Sequence, residues 1–219
     1  PKVLAIKMTL YRIGPQGNIV EALIRAAEQG KHVAVLIELK ARFDEQRNIY
    51  LAQKLEANGV HVAYGMVGLK THSKMCMVVR EDYDGITSYA HVGTGNYNAT
   101  TANFYTDISL LTSNPAITSE IIEAFNYLTG ISLKKDYTNL LVAPLNMKAR
   151  FIAMVKEELE HAKAGRPAHI VAKMNSLEDV EIINELYDAS RAGVKIDLIV
   201  RGFCCLRPGV PGTSENIRV

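Results

Sequence analysis

Residues 18–39 read NIVEALIRAAEQGKHVAVLIEL, and this stretch decides the fold. Ile19, Val20, Leu23, Ile24 and Ala27 recur at helical spacing, which predicts a helix over 18–29 with one apolar face. Gly30 stops it, because glycine enters the left-handed backbone that ends a helix without steric cost. Val33 to Leu39 follows as a continuous apolar run of strand length, and Val3 to Tyr11 is a similar run upstream. Strand, helix, glycine, strand is a βαβ signature, and it argues for an α/β sheet with helices on its faces.

The alternation continues to residue 112. A second helix is expected over 45–57, closed by Asn58-Gly59. Strands are expected over 60–64, 73–80, 88–92 and 108–112, with a short helix after Asn96. Asn114-Pro115 breaks the pattern before a helix over 116–128, and a long amphipathic helix then spans 147–164. Gly165-Arg166-Pro167 ends that helix, and 169–174 is a strand. Ser176-Leu177-Glu178-Asp179 has the form of a capped helix start.

From there the chain echoes itself. A shift of 163 positions places Ile19 on Ile182, Val20 on Ile183, Leu23 on Leu186, Ile24 on Tyr187 and Gly30 on Gly193. It also places Val33, Val35 and Ile37 on Ile196, Leu198 and Val200. Any βαβ unit gives some such match, but eight in register argue for duplication. Two domains are expected, 1–133 and 134–219, the first complete and the second truncated. The chain opens at Pro1 almost directly on a strand and stops at Val219 without a tail, so both ends are expected to be cut from a longer polypeptide.

With 219 residues, 48% hydrophobic and 22% charged, the composition is that of a soluble globular protein. A net charge of +2 gives no bulk attraction for nucleic acid or membrane, so phosphate binding has to come from local clusters. No apolar run is long enough to span a bilayer, and no signal peptide is visible. Cys76, Cys204 and Cys205 are odd in number with two adjacent, which does not fit a disulfide framework; a reducing cytoplasm is the expected location. Cys204 and Cys205 read as small packing residues, since no metal-ligand spacing accompanies them.

The chemistry concentrates in Gly68-Leu69-Lys70-Thr71-His72-Ser73-Lys74. On a strand, side chains alternate faces, so His72 and Lys74 are expected side by side. An imidazole can attack phosphorus while an ammonium holds the phosphate oxygens. An isolated histidine would more simply be a core residue, and Lys70 by default an exposed loop lysine. Downstream, Gly93, Thr94, Gly95 and Asn96 form a turn whose backbone N–H groups can cradle an anion, although a tight structural turn explains the same residues. His91 fits a structural histidine better than a second nucleophile. Arg12 and Arg42 follow strands, where α/β proteins place sites, and guanidinium suits bidentate phosphate contact. A surface salt bridge, for example from Arg42 to Asp44 or Glu45, explains the same residues equally well. Asp107 is the nearest motif carboxylate that can orient His72.

A duplicated α/β fold with His-x-Lys and Gly-Thr-Gly-Asn resembles the phospholipase D superfamily, so the expected fold is a duplicated phospholipase D-like α/β sandwich. Within it, the stretches Ile6 to Arg12, Glu38 to Glu45, Leu69 to Lys74, Tyr89 to Asn98, Tyr105-Thr106-Asp107 and Leu198 to Gly202 resemble bacterial polyphosphate kinase along essentially the whole chain. The resemblance implies reversible transfer of the terminal phosphate of ATP to polyphosphate through a phosphohistidine. It implies that His72 is phosphorylated and that Tyr105 and Arg201 contact nucleotide. It also assigns Arg12 and Arg42 to a magnesium–phosphate site, where Mg2+ is the implied cofactor and arginine, having no free lone pair, contacts the metal-bound phosphate.

The expected partners are ATP, ADP and polyphosphate, without nucleic acid or an integral membrane segment. The complete protein is expected to be a homo-oligomer in the cytoplasm, with peripheral membrane association as a further expectation. The second essential histidine of the family, and by the repeat a second His-x-Lys, would lie beyond Val219, so this chain alone is expected to turn over weakly or not at all. Two other readings compete. One is a phospholipase D-like phosphodiesterase or nuclease. That superfamily carries Asp five positions after the lysine, where this chain has Val79, which argues against it. The other is a phosphate-binding or assembly module without turnover.

Overall fold

The computed structural model describes residues 2–11, 18–39, 45–66, 68–132 and 136–219. Arg12 and Arg42 lie outside them. The chain divides into two compact units, Pro1–Lys134 and Lys135–Val219.

The first unit opens with β1 (Val3–Leu10), α1 (Asn18–Glu28), β2 (His32–Ile37), α2 (Glu45–Ala57) and β3 (His61–Tyr64). β4 (Met75–Asp82), β5 (Gly85–Gly93), the single turn α3 (Ala99–Ala102), β6 (Ser109–Thr112) and α4 (Pro115–Leu128) follow. Its six strands lie in the order β3-β2-β1-β4-β5-β6. β1, β2 and β3 run parallel, whereas β4, β5 and β6 add on antiparallel. β4 and β5 extend past the expected strands and close a two-residue hairpin at Tyr83-Asp84.

Strand alternation sorts the sheet's two faces. Met8, Leu10, Val33, Val35 and Ile37 point to one face and meet Val20, Leu23 and Ile24 of α1 and Leu51, Ala52 and Leu55 of α2. Ile37 and Leu55 have no exposed surface, a burial that stabilises by about 1.5–3 kcal/mol for each such side chain. On the other face, α4 covers the antiparallel half, with Ile121, Ala124 and Phe125 buried alongside Met77 and Ala90. Asn114 caps α4 through its side chain, and Pro115 opens it, where a missing N–H costs nothing.

The second unit contains α5 (Met147–Lys163), β7 (His169–Met174), α6 (Val180–Arg191), β8 (Lys195–Val200) and a two-residue strand β9 (Ile217–Arg218), in a parallel sheet of order β7-β8-β9. Asp179 caps α6 by accepting from the Ile182 N–H. Ile183, Leu186, Ile196 and Leu198 are buried, as are Val20, Leu23, Val33 and Val35, their equivalents under the repeat. Gly30 and Gly193 both have positive φ, 77° and 98°, so each half ends its helix in the same left-handed step. Paired residues lie 27 positions apart between β1 and β2 and 26 between β7 and β8, so β1 maps on β7 with a shift one larger than the helices. Among the described residues no helix is long and apolar enough to cross a membrane.

Candidate active site

The site gathers at the carboxyl ends of β1 and β2, where parallel strands leave a crevice. β4 does not start at the expected residue 73. Its ladder with β1 ends at Met8 and Cys76, and β4 itself begins at Met75. The cause is the buried Thr9 side chain, which donates to the Ser73 carbonyl (2.8 Å) and accepts from the Met75 N–H (2.9 Å). A hydroxyl thus replaces the ladder, and residues 71–74 run as an irregular segment.

His72 and Lys74 therefore do not share a strand face. His72 is exposed, while Lys74 is only 4% exposed. An aromatic ring brings them together instead. The His72 imidazole stands edge-on to Tyr11, with centroids 4.9 Å apart and planes at 77°. Lys74 Nζ lies 5.2 Å and Lys70 Nζ 5.4 Å from the same ring's centroid, within cation–π range. Lys74 Nζ also donates to the His72 carbonyl. A buried ammonium is costly unless it has such partners.

Three residues that sequence reasoning missed hold this arrangement. Tyr11 is one. Glu38, 4% exposed, is the second: its Oε2 accepts the Thr71 N–H at 2.7 Å, directly before His72. A Cβ at Gly65 would come within 3.0 Å of that carboxylate oxygen, so a small residue fits there. Asn48, fully buried, is the third. Its Nδ2 donates to the Tyr11 carbonyl (3.1 Å) and the Glu38 carbonyl (2.8 Å), binding the two strand ends together. One signal was available. Asn48 stands with Leu51, Ala52 and Leu55 on the buried stripe of α2, where a polar residue needs a specific partner.

The Gly93–Asn96 turn sits beside the segment, since the Gly93 N–H donates to the Lys74 carbonyl (3.0 Å). The Thr94 N–H donates to the Ile108 carbonyl (3.0 Å), so it is not available to an anion. Asp107 accepts from Thr94 Oγ1 (2.8 Å), and a Cβ at Gly95 would lie 2.6 Å from Asp107 Oδ2. A side chain at Gly95 would therefore displace the Asp107 carboxylate. No hydrogen bond joins Asp107 to His72 among the described residues, and the carboxylate sets the turn instead. His91 Nδ1 pairs with the Tyr97 hydroxyl at 2.7 Å, and burial pushes the Tyr97 phenol well above its usual range.

Tyr105 is 45% exposed, near the turn in sequence. Arg201 belongs to the second unit, exposed, with Nε donating to Asn175 Oδ1 at 3.1 Å. Cys204 packs against the second core, whereas Cys205 is exposed, contrary to a packing role.

Comparison with known proteins agrees along the whole chain. Residues 1–134 match the family described as polyphosphate kinase C-terminal domain 1, and residues 140–219 match polyphosphate kinase C-terminal domain 2. The polyphosphate kinase of Synechocystis is 60% identical over all 219 residues, and that of Streptomyces coelicolor 52%. The chain spans about 30% of the length of these relatives. The crystal structure of polyphosphate kinase from Porphyromonas gingivalis superimposes with a TM-score of 0.88 at 41% identity, covering all of this chain and 36% of that one. With both halves matched in order, the chain belongs to the polyphosphate kinase family.

Proposed function

We propose that this chain carries the phosphoryl-accepting half-site of an ATP:polyphosphate phosphotransferase, with His72 as the nucleophile. The observation that carries this reading is the exposed His72 imidazole held on Tyr11 beside two lysine ammonium groups. In the first step an imidazole nitrogen attacks the terminal phosphorus of ATP. The P–O bond to ADP breaks, and its electron pair leaves with ADP. In the second step a terminal oxygen of the phosphate chain attacks the same phosphorus. The P–N bond breaks and neutral imidazole is restored. Both steps run in either direction.

Phosphoryl transfer asks a protein chiefly for positioning and fixed positive charge. Lys70 and Lys74 supply charge that needs no reorganisation, because Tyr11 and the His72 carbonyl already hold them. Gly95 and Asn96 add amides, and Tyr105, Arg201, Arg12 and Arg42 are the further nucleotide and phosphate contacts. Among the described residues no group of three His, Cys, Asp or Glu could hold a metal, and the site carboxylates Glu38 and Asp107 already accept from Thr71 and Thr94. Magnesium accordingly enters on the phosphates of the nucleotide, as part of the substrate.

The test is incubation of the complete protein with γ-labelled ATP and magnesium, followed by mapping of acid-labile, base-stable label. Label on His72, lost in His72→Ala, is expected. An unlabelled protein that cleaves phosphodiesters without ATP would overturn the reading in favour of a phospholipase D-like hydrolase. The 219-residue chain alone is expected to synthesise little or no polyphosphate.

A further inference from the structure

Between β1 and β4 a side-chain hydroxyl stands where a sheet ordinarily has backbone. In an antiparallel ladder, hydrogen-bonded partners exchange both main-chain bonds, and residues two apart turn those groups to the same neighbour. The Lys74 carbonyl accepts from the Gly93 N–H of β5, so Ser73 and Met75 turn theirs to β1. The register that runs from Ala5↔Val79 to Met8↔Cys76 would next set Thr9 opposite Met75 and Tyr11 opposite Ser73. The Met75 N–H would then go to the Thr9 carbonyl, and the Ser73 carbonyl would take the Tyr11 N–H. Both groups go instead to Thr9 Oγ1, at 2.9 and 2.8 Å. One hydroxyl, on a residue only 2% exposed, thus replaces two ladder bonds, and the pairing ends at Met8.

The consequence follows from the faces. Residues opposite one another in register share a face of the sheet. In a continued ladder Lys74 would stand opposite Leu10, and His72, two residues on, would point the same way. That face is the apolar one: Leu10 belongs to the buried core with Val35 and Ile37, and Cys76, opposite Met8, packs against it. A regular strand would therefore drive an ammonium and an imidazole into apolar packing, where charge is costly. The course taken puts both against the Tyr11 ring. The segment does not adopt that course for its own sake. Ser73 Oγ is buried and has no hydrogen-bond partner among the described residues, a cost that has to be met from outside. Thr9 holds the segment at Ser73 and Met75, and Glu38 holds it at Thr71.

We propose that Thr9 is a positioning residue for phosphoryl transfer at His72. Its hydroxyl is a wedge that splays β4 from β1 and so delivers His72 and Lys74 to the site instead of the core. This role rests on the kinase reading of His72. Thr9 acts through the main chain of Ser73 and Met75, not on the reacting atoms.

The test uses the complete protein with Thr9→Val, which keeps the branched shape, and Thr9→Ser, which keeps the hydroxyl. The rate at which His72 takes label from γ-labelled ATP should fall at least about tenfold in Thr9→Val, because a misplaced nucleophile loses its approach to phosphorus. The ATP concentration at half-maximal rate should stay at the parental value. Thr9→Ser should restore most of the rate. Carbethoxylation of His72 by diethyl pyrocarbonate should slow in Thr9→Val, as the imidazole turns toward the core, and not in Thr9→Ser. Labelling at the parental rate in Thr9→Val, or a Thr9→Ser as slow as Thr9→Val, would overturn the proposal. So would a raised half-maximal ATP concentration with an unchanged maximal rate, since the hydroxyl would then serve nucleotide binding. If Thr9→Val loses hydrogen-exchange protection throughout α1 and β2, and so fails to fold, Thr9→Ala is read by the same outcomes. A parent protein without label on His72 removes the kinase reading, and carbethoxylation then decides the wedge by itself.

Discussion

The same two positions close the strand ends of both βαβ units, with opposite chemistry. In the first unit Tyr11 and Glu38 follow β1 and β2, and both are buried. In the second, their counterparts Asn175 and Arg201 follow β7 and β8, and both are exposed. One backbone bond is common to the two, from Glu38 to Leu10 and from Arg201 to Met174. They then part. In the second unit the Gly202 N–H continues to the Asn175 carbonyl at 2.6 Å. In the first, the matching Tyr11 carbonyl takes the side-chain amide of Asn48. Substituting a side chain for a backbone donor lets Glu38 turn inward beneath Thr71, and that places His72. One frame is thereby a self-contained fold in one copy and the foundation of a site in the other.

The largest expected effect comes from removing that side chain. Asn48→Ala removes a donor from two buried carbonyls and should cost about 2–4 kcal/mol in chemical denaturation. Asn48→Asp, which keeps the shape and sets an acceptor against two acceptors, should cost more. A loss below about 0.5 kcal/mol for either would mean that the strand ends hold without it. A smaller contrast separates the equivalent positions. Glu38→Ala should destabilise by about 1–3 kcal/mol and, if His72 takes label, reduce that labelling, while Arg201→Ala should stay within about 0.5 kcal/mol. Equal costs would contradict the contrast between a buried and an exposed strand end.

Periodicity alone placed α1, β2, α6 and β8, because their apolar residues face cores built by the same local repeat. The His-x-Lys segment and the Gly-Thr-Gly-Asn turn were also legible, as residue types suited to phosphate. Their supports were not. Asn48 acts on Tyr11 from 37 residues away, and Glu38 on Thr71 from 33, distances that no local pattern encodes. The alternation that put His72 and Lys74 on one face failed for a related reason, since the Thr9 hydroxyl replaces the ladder and β4 begins two residues later than expected. The approach of Asp107 to Thr94 and Gly95 was not legible either, because it depends on the path of the turn.

The smallest expected effect concerns the His169–Asp197–Arg218 cluster on the sheet of the second unit. Hydrogen bonding from His169, and then the neighbouring Arg218, holds the Asp197 carboxyl below the usual carboxylate range. A depressed folded-state value means that the unfolded chain binds the proton more readily. The contribution is therefore fully present above the ordinary aspartate value of about 3.9 and is lost as pH falls through the lower folded value. Because the partners His169 and Arg218 are largely exposed, the effect should be slight and should shrink with added salt. Denaturation midpoints from neutral pH into acid should fall more steeply for the parent chain than for Asp197→Asn, with the two curves converging at the acid end. Parallel curves would show that the His169–Asp197–Arg218 cluster contributes nothing on folding. The carboxylate would then not be what ties β7 and β9 to β8 on this sheet face.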